Sequence, residues 1–155
     1  MEDKKVMIFG TFDILHAGHE NLFKQVKELG AVIIAVIARD NTVKKLKGEF
    51  PQNNESKRIK ALKESGYIDK IVLGDLKDKY KAIKKYKPEV IALGYDQFAF
   101  TYQLSKLFID EKMNTTIYRL KPYKPRIYKS SLLKENYAKD TQTESKNPCD
   151  AFAVA

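Results

Sequence analysis

The chain has 155 residues, with 29 Lys+Arg against 20 Asp+Glu, a formal charge of +9, one cysteine and no tryptophan. That length fits a single domain burying about 70% of its unfolded-chain surface. The lone Cys149 rules out an intrachain disulfide framework or a zinc ribbon and makes a reducing compartment the default.

The opening MEDKKVMIFGTFD has neither a signal-peptide nor an anchor pattern, and the longest apolar run, residues 31–38, is less than half of a membrane span. A soluble, cytoplasmic protein with no membrane partner is therefore expected. Residues 6–9 are apolar and stop at Gly10, as a short buried strand would. In HENLFKQVKELG, Leu22, Phe23, Val26 and Leu29 recur at helical spacing, and Gly30 is expected to stop the helix. Residues 31–38 (AVIIAVIA) read as a strand buried on both faces of a parallel sheet. Residues 55–65 carry Ile59 and Leu62 on one helical face and end at Gly66, before a strand at 70–73. Tyr80, Ile83 and Tyr86 mark a short helix, and residues 90–93 a fourth strand. A longer helix over 97–111 carries Tyr102, Leu104, Leu107 and Phe108, followed by a fifth strand at 115–120. After a proline-containing basic loop, residues 130–138 read as helix. Residues 1–138 are thus expected to form the folded domain, and 139–155 a polar tail, disordered or expression-derived.

Strands alternating with helices across short connections predict an α/β parallel sheet of about five strands with helices on both faces. Ligands of such sheets lie beyond the carboxyl ends of the strands, where strand order reverses. That directs attention to residues 10–19, 39–47, 94–97 and 121–131. The charge is regional, since residues 44–88 hold fourteen Lys/Arg and six Asp/Glu, a net of +8. A basic region implies an anionic partner, with phosphate the commonest anion.

Both histidines, His16 and His19, fall in GTFDILHAGH directly after the first strand. Gly10 permits a tight turn, and Gly18 at the helix start is expected to expose amide hydrogens, so the turn offers a phosphate site at a helix N-terminus. Two imidazoles three residues apart add donors suited to an anion that gains charge during a reaction. A zinc site of His16, His19 and Asp13 is a competing reading, but it lacks a further His or Cys and the four-residue offset of zincins. A second competitor has the histidines merely capping the helix.

GTFDILHAGH resembles the G-x-F-D-x-x-H-x-G-H signature of the cytidylyltransferase-like nucleotidyltransferases, with the glycines, Phe12, Asp13 and both histidines in place. Within that family, ARDNTVKKLKGEFP, the later GYDQ and the YKPRIYKSS loop are most similar to archaeal FAD synthases, with glycerol-3-phosphate cytidylyltransferases next. The resemblance spans about residues 4–138. It implies a Rossmann-like fold of the HxGH type, ATP as substrate, a divalent cation such as Mg²⁺ and a homodimer. It further implies that Thr11 and Phe12 touch the nucleotide and that His16, Ala17, Gly18 and His19 surround the triphosphate. Asp96 matches a nucleotide contact and Tyr123 a tyrosine of the corresponding loop. Lys44 falls near a phosphate-contacting lysine, though Lys45 and Lys47 lie so close that spacing does not choose among the three. The cytidylyltransferases carry R-T-x-G-I-S-T before the last helix, whereas this chain reads PRIYKSS, which weighs against glycerol 3-phosphate. Ser130 and Ser131 there read as a helix start over phosphate or as a plain cap. Lys124, Arg126 and Lys129 read as electrostatic partners.

The expected reaction is in-line attack of an FMN phosphate oxygen on the α-phosphorus of ATP, releasing pyrophosphate. His16 and His19 would act as donors, and Lys44 and Arg126 would offset the repulsion between two phosphorylated substrates. CTP transfer to a polyol phosphate such as glycerol 3-phosphate is the alternative enzyme. Asp13 is expected to be structural, accepting backbone hydrogen bonds within its turn, with metal contact the lesser option. Tyr95, Phe98 and Phe100 either stack on a ring or simply pack. A basic nucleic-acid-binding module would account for the charge but not for two histidines at the one turn where such sheets bind phosphate.

Overall fold

Alternation along the strands divides the core into two layers. The computed structural model describes residues 3–30, 32–94 and 103–121. Five parallel strands, β1 (Lys5–Gly10), β2 (Val32–Ile37), β3 (Lys70–Leu73), β4 (Val90–Leu93) and β5 (Thr116–Arg119), lie in the order β3-β2-β1-β4-β5. Val6, Ile8, Ile33, Ala35, Ile37, Val90 and Ala92 face one side, packed against Phe23 and Val26 of α1 (Ala17–Leu29) and Leu62 of α3 (Glu55–Ser65). Met7, Phe9, Ile34, Val36, Ile91 and Leu93 face the other, under Ile83 of α4 (Lys81–Tyr86) and Leu104 and Leu107 of α5 (Leu104–Asp110). This is the expected doubly covered parallel sheet, a Rossmann-like α/β fold. Strand order reverses at β1, whose neighbours are β2 and β4. The switch point therefore lies beyond Gly10 and Gly94.

Residues 40–47, expected only as a post-strand segment, form a further helix, α2 (Asp40–Lys47). Its sequence, DNTVKKLK, buries Val43 alone, so no apolar stripe announces it. Its ends hold it instead. Gly48, at φ 86°, returns its amide to the Lys44 carbonyl, and the Asp40 amide donates to Glu55 Oε1 at 2.8 Å. Gly30 stands at the end of α1 as expected, but in extended backbone. Its reason is steric, since an added Cβ would lie 2.6 Å from Val6 Cγ2 and 2.7 Å from the Lys4 carbonyl oxygen. Gly66 does take the left-handed conformation, at φ 77°. The expected helix at 97–111 is described from Leu104 onward. The expected helix at 130–138 and the tail lie outside the described residues. Among the described residues, no helix is long and apolar enough to cross a membrane.

Candidate active site

Beyond Gly10 the chain turns through Thr11 and Phe12. Phe12 has a φ of 51°, a left-handed conformation uncommon in bulky residues. Its ring folds back over Gly10, where an added Cβ would meet it at 2.8 Å. The ring also lies against His19 and Phe23, with centroid separations of 5.5 and 5.9 Å. The Phe12 side chain is thus the floor of the turn, and only its backbone is left for a ligand.

His16 is the N-cap of α1, and its Nδ1 accepts the Gly18 amide at 3.0 Å. That bond occupies the amide expected to be exposed at Gly18, so the first-turn donors toward a ligand are the Ala17 and His19 amides. It also sets the His16 tautomer, because an accepting Nδ1 carries no proton and leaves Nε2–H as the donor. The His19 ring sits 4.0 Å from that of His16. His19 Nδ1 is buried without a hydrogen-bond partner, although the residue as a whole keeps some exposure. Its other nitrogen, Nε2, is the one able to reach a ligand. Burial first, and the neighbouring His16 second, push His19 down from 6.5 to about 3. It is therefore a neutral imidazole at physiological pH.

A pH dependence of stability follows. Between about pH 3 and 6.5 the unfolded chain binds a proton at position 19 that the folded chain does not, so stability rises with pH and is complete above 6.5. A tenfold difference in proton affinity between the two states corresponds to about 1.4 kcal/mol. Melting temperature is expected to fall as pH drops from 7 to 5, and His19→Gln should flatten that fall. An unchanged slope in the variant would assign the acid loss to other groups.

Asp13 is buried and, as expected, accepts backbone hydrogen bonds, though from a different segment. Its Oδ2 takes the Gln52 amide and its Oδ1 the Asn53 amide, both at 2.8 Å, while Asn53 Nδ2 donates to its carbonyl. The loop after α2 is thereby tied to the turn that carries the histidines. Both carboxylate oxygens thus accept backbone amides. No group of three or more His, Cys, Asp or Glu able to hold a metal occurs among the described residues.

Arg58 carries no signature that singles it out in the sequence. Its side chain is fully buried; Nη1 donates to the Thr11 and Ala38 carbonyls at 2.8 Å, Nη2 to Asp40 Oδ1 at 2.7 Å and Nε to the Asn53 carbonyl at 3.0 Å. One guanidinium thus joins the segments that leave β1 and β2. Asp40 and Glu55, the first residues of α2 and α3, each accept the other's amide, at 3.2 and 2.8 Å. The one available hint is positional, because Arg58 stands one turn before Leu62, on the buried face of α3.

Of the remaining expected residues, Thr11 is buried, its carbonyl held by Arg58, and Ala17 and Gly18 open α1. Lys44 is exposed on α2 with its Nζ 4.5 Å from the Phe50 ring centroid. Tyr95, Asp96, Phe98, Phe100, Tyr123, Lys124, Arg126, Lys129, Ser130 and Ser131 lie outside the described residues.

A parallel sheet whose switch point carries a capped helix N-terminus, two adjacent imidazoles and a lysine-rich neighbouring helix has the arrangement in which α/β proteins take up phosphorylated ligands. The chain belongs to the cytidylyltransferase-like family, whose model matches residues 7–136. It is 38% identical over 141 residues to the FAD synthase of Pyrococcus horikoshii, an alignment covering 90% of this chain and 93% of that one. The FAD synthase of Thermoplasma acidophilum is 33% identical over 131 residues, covering 84% and 92%. Among solved structures, the lipopolysaccharide core biosynthesis protein of Thermoplasma volcanium superposes with a TM-score of 0.73 at 34% identity, over 79% of this chain and 99% of that one. Pantoate-beta-alanine ligase from Francisella tularensis shares the fold, with a TM-score of 0.55 at 16% identity over 92% and 72% of the two chains.

Proposed function

We propose that this chain is a cytoplasmic nucleotidyltransferase that transfers the AMP moiety of ATP to FMN, giving FAD and pyrophosphate. The relatives named FAD synthase support the substrate pair. The observation that carries the chemistry is the pairing of His16 and His19, rings 4.0 Å apart, at the N-terminus of α1 and at the sheet's switch point. An FMN phosphate oxygen attacks the α-phosphorus of ATP; the new O–P bond forms as the bond to the β-phosphate oxygen breaks, and pyrophosphate leaves. No covalent nucleophile is needed, so the protein's work is positioning and charge stabilisation. His16 donates from Nε2 toward the phosphates, His19 acts as a second neutral donor, and the Ala17 and His19 amides complete the cradle. Because the His19 imidazole is uncharged at physiological pH, the cationic share falls largely to Lys44 and its neighbours on α2.

Asp96, Tyr123, Arg126, Ser130 and Ser131 are proposed to complete the nucleotide and phosphate contacts, residues 1–138 to be the catalytic domain, and the active form to be a homodimer. Mg²⁺ enters as the complex with ATP.

Purified protein given ATP with FMN is expected to release pyrophosphate and form FAD in equal amounts, followed by phosphate colorimetry and chromatography. Product only from CTP with glycerol 3-phosphate would transfer the reading to a polyol phosphate cytidylyltransferase. Silence with every pair would overturn nucleotidyl transfer.

A further inference from the structure

Single apolar side chains left in water are ordinary, and one becomes informative only where other features of its surroundings give it a use. Among the described residues five are exposed: Leu46, Phe50, Leu76, Ile109 and Tyr118. Three of them follow the carboxyl ends of two adjacent strands. Leu46 and Phe50 follow β2 and Leu76 follows β3, strands paired with Ile37 opposite Leu73. That is the end of the sheet where His16 and His19 stand.

Phe50 is the informative one. It is 54% exposed, yet its loop is firmly held. Gly48 closes α2 two residues before it. Two and three residues after it, the Gln52 and Asn53 amides are bound by the Asp13 carboxylate, and the Asn53 carbonyl by Arg58. Asp13 lies three residues before His16, so an exposed aromatic ring is fixed to the phosphate-binding turn. The Lys44 ammonium lies over the same ring, 4.5 Å from its centre, so a flat ligand stacks on the other face. Residues 44–50 contain three lysines and one glutamate, leaving this rim positive. An aromatic platform on a rim of net positive charge suits a ligand that joins a flat ring system to a phosphate by a short polar chain.

We propose that Phe50 is the acceptor-specificity residue, the platform on which the isoalloxazine ring of FMN stacks, with Lys44 beside it taking the FMN phosphate. This rests on the proposed FMN adenylyl transfer and adds to it the place of the flavin. It assigns the discrimination between a flavin phosphate and a polyol phosphate to the loop after α2, because a polyol phosphate has no ring to stack.

The test uses the full chain and FMN alone. Phe50→Ala is expected to raise the FMN dissociation constant, read from quenching of flavin fluorescence, by about 5–100-fold, the usual scale for stacking on an aromatic side chain. KM for ATP and the melting temperature should stay near wild type, because the ring is exposed. The chain has no tryptophan, so Phe50→Trp places a single indole reporter on the platform. FMN should quench its emission and glycerol 3-phosphate should not. FMN binding unchanged in Phe50→Ala, or an indole indifferent to FMN, would overturn the assignment even if wild type makes FAD. Quenching by FMN in a protein that forms no FAD would support the platform while removing the proposed transfer. Absence of FMN binding by wild type would remove both.

Discussion

Replacing His19 with alanine is expected to lower kcat by about 10²–10³, the usual cost of losing one preorganised donor at a developing charge. Its geometry explains why one ring should matter so much. His19 is wedged against Phe12 and beside His16, with Nδ1 sealed and only Nε2 available to a ligand. The Phe12 ring beneath it is itself fixed by Gly10 and Phe23. Such a donor needs no reorganisation when charge accumulates on the phosphate oxygens. A neutral donor gains most in the transition state, so kcat should fall more than KM for ATP rises. Burial first and His16 second depress His19 to about 3, so its protonation is not required for turnover, and it should add no step to the rate between pH 6 and 8. Pyrophosphate release at saturating ATP and FMN measures the effect, with circular dichroism at pH 7 reporting the fold. Turnover within about threefold of wild type would exclude His19 from the reaction.

All five strands appear where expected, and β1, β2 and β4 were legible because buried parallel strands are written as apolar runs, whereas β5, TIYR, is largely exposed and has no such run. Gly66 was legible for a similarly local reason, being a left-handed residue after a helix. Features that depend on distant partners were not. Helix α2 has one buried side chain and is fixed by Glu55, fifteen residues on. Gly30 looked like a helix stop, but its lack of a side chain answers to Val6 and Lys4, which sequence distance hides. The histidine pair could be placed at the turn beyond β1, the sheet's switch point, from the order of elements alone. That one ring would consume the Gly18 amide and the other become a buried neutral base could not, since both depend on the fold of the turn around Phe12. Asp13 could be read as structural, but its partners at Gln52 and Asn53 lie far along the chain.

Arg58 is where that hidden information carries the largest expected stability effect. Replacing it with methionine, which keeps much of the volume and none of the donors, is expected to destabilise the protein by about 3–5 kcal/mol, the range for leaving a buried partner uncompensated. The ion pair is the smaller part of this. Asp40 keeps 28% of its side-chain surface exposed, so water can solvate it once the arginine is gone. The carbonyls of Thr11 and Ala38 have no such relief, and an unsatisfied buried polar group costs about 1–3 kcal/mol. Asp40→Asn, which removes the charge and keeps one of the two acceptor oxygens, should therefore cost about 1 kcal/mol, well short of Arg58→Met. Arg58→Lys should fall near methionine, because a single ammonium cannot span carbonyls on two strand ends and a third in the loop. Urea unfolding of the four proteins decides the matter. Equal losses in Asp40→Asn and Arg58→Met would make the charge pair the main contribution. A methionine variant as stable as wild type would mean that these carbonyls are satisfied some other way, and that the turn carrying His16 and His19 does not depend on Arg58.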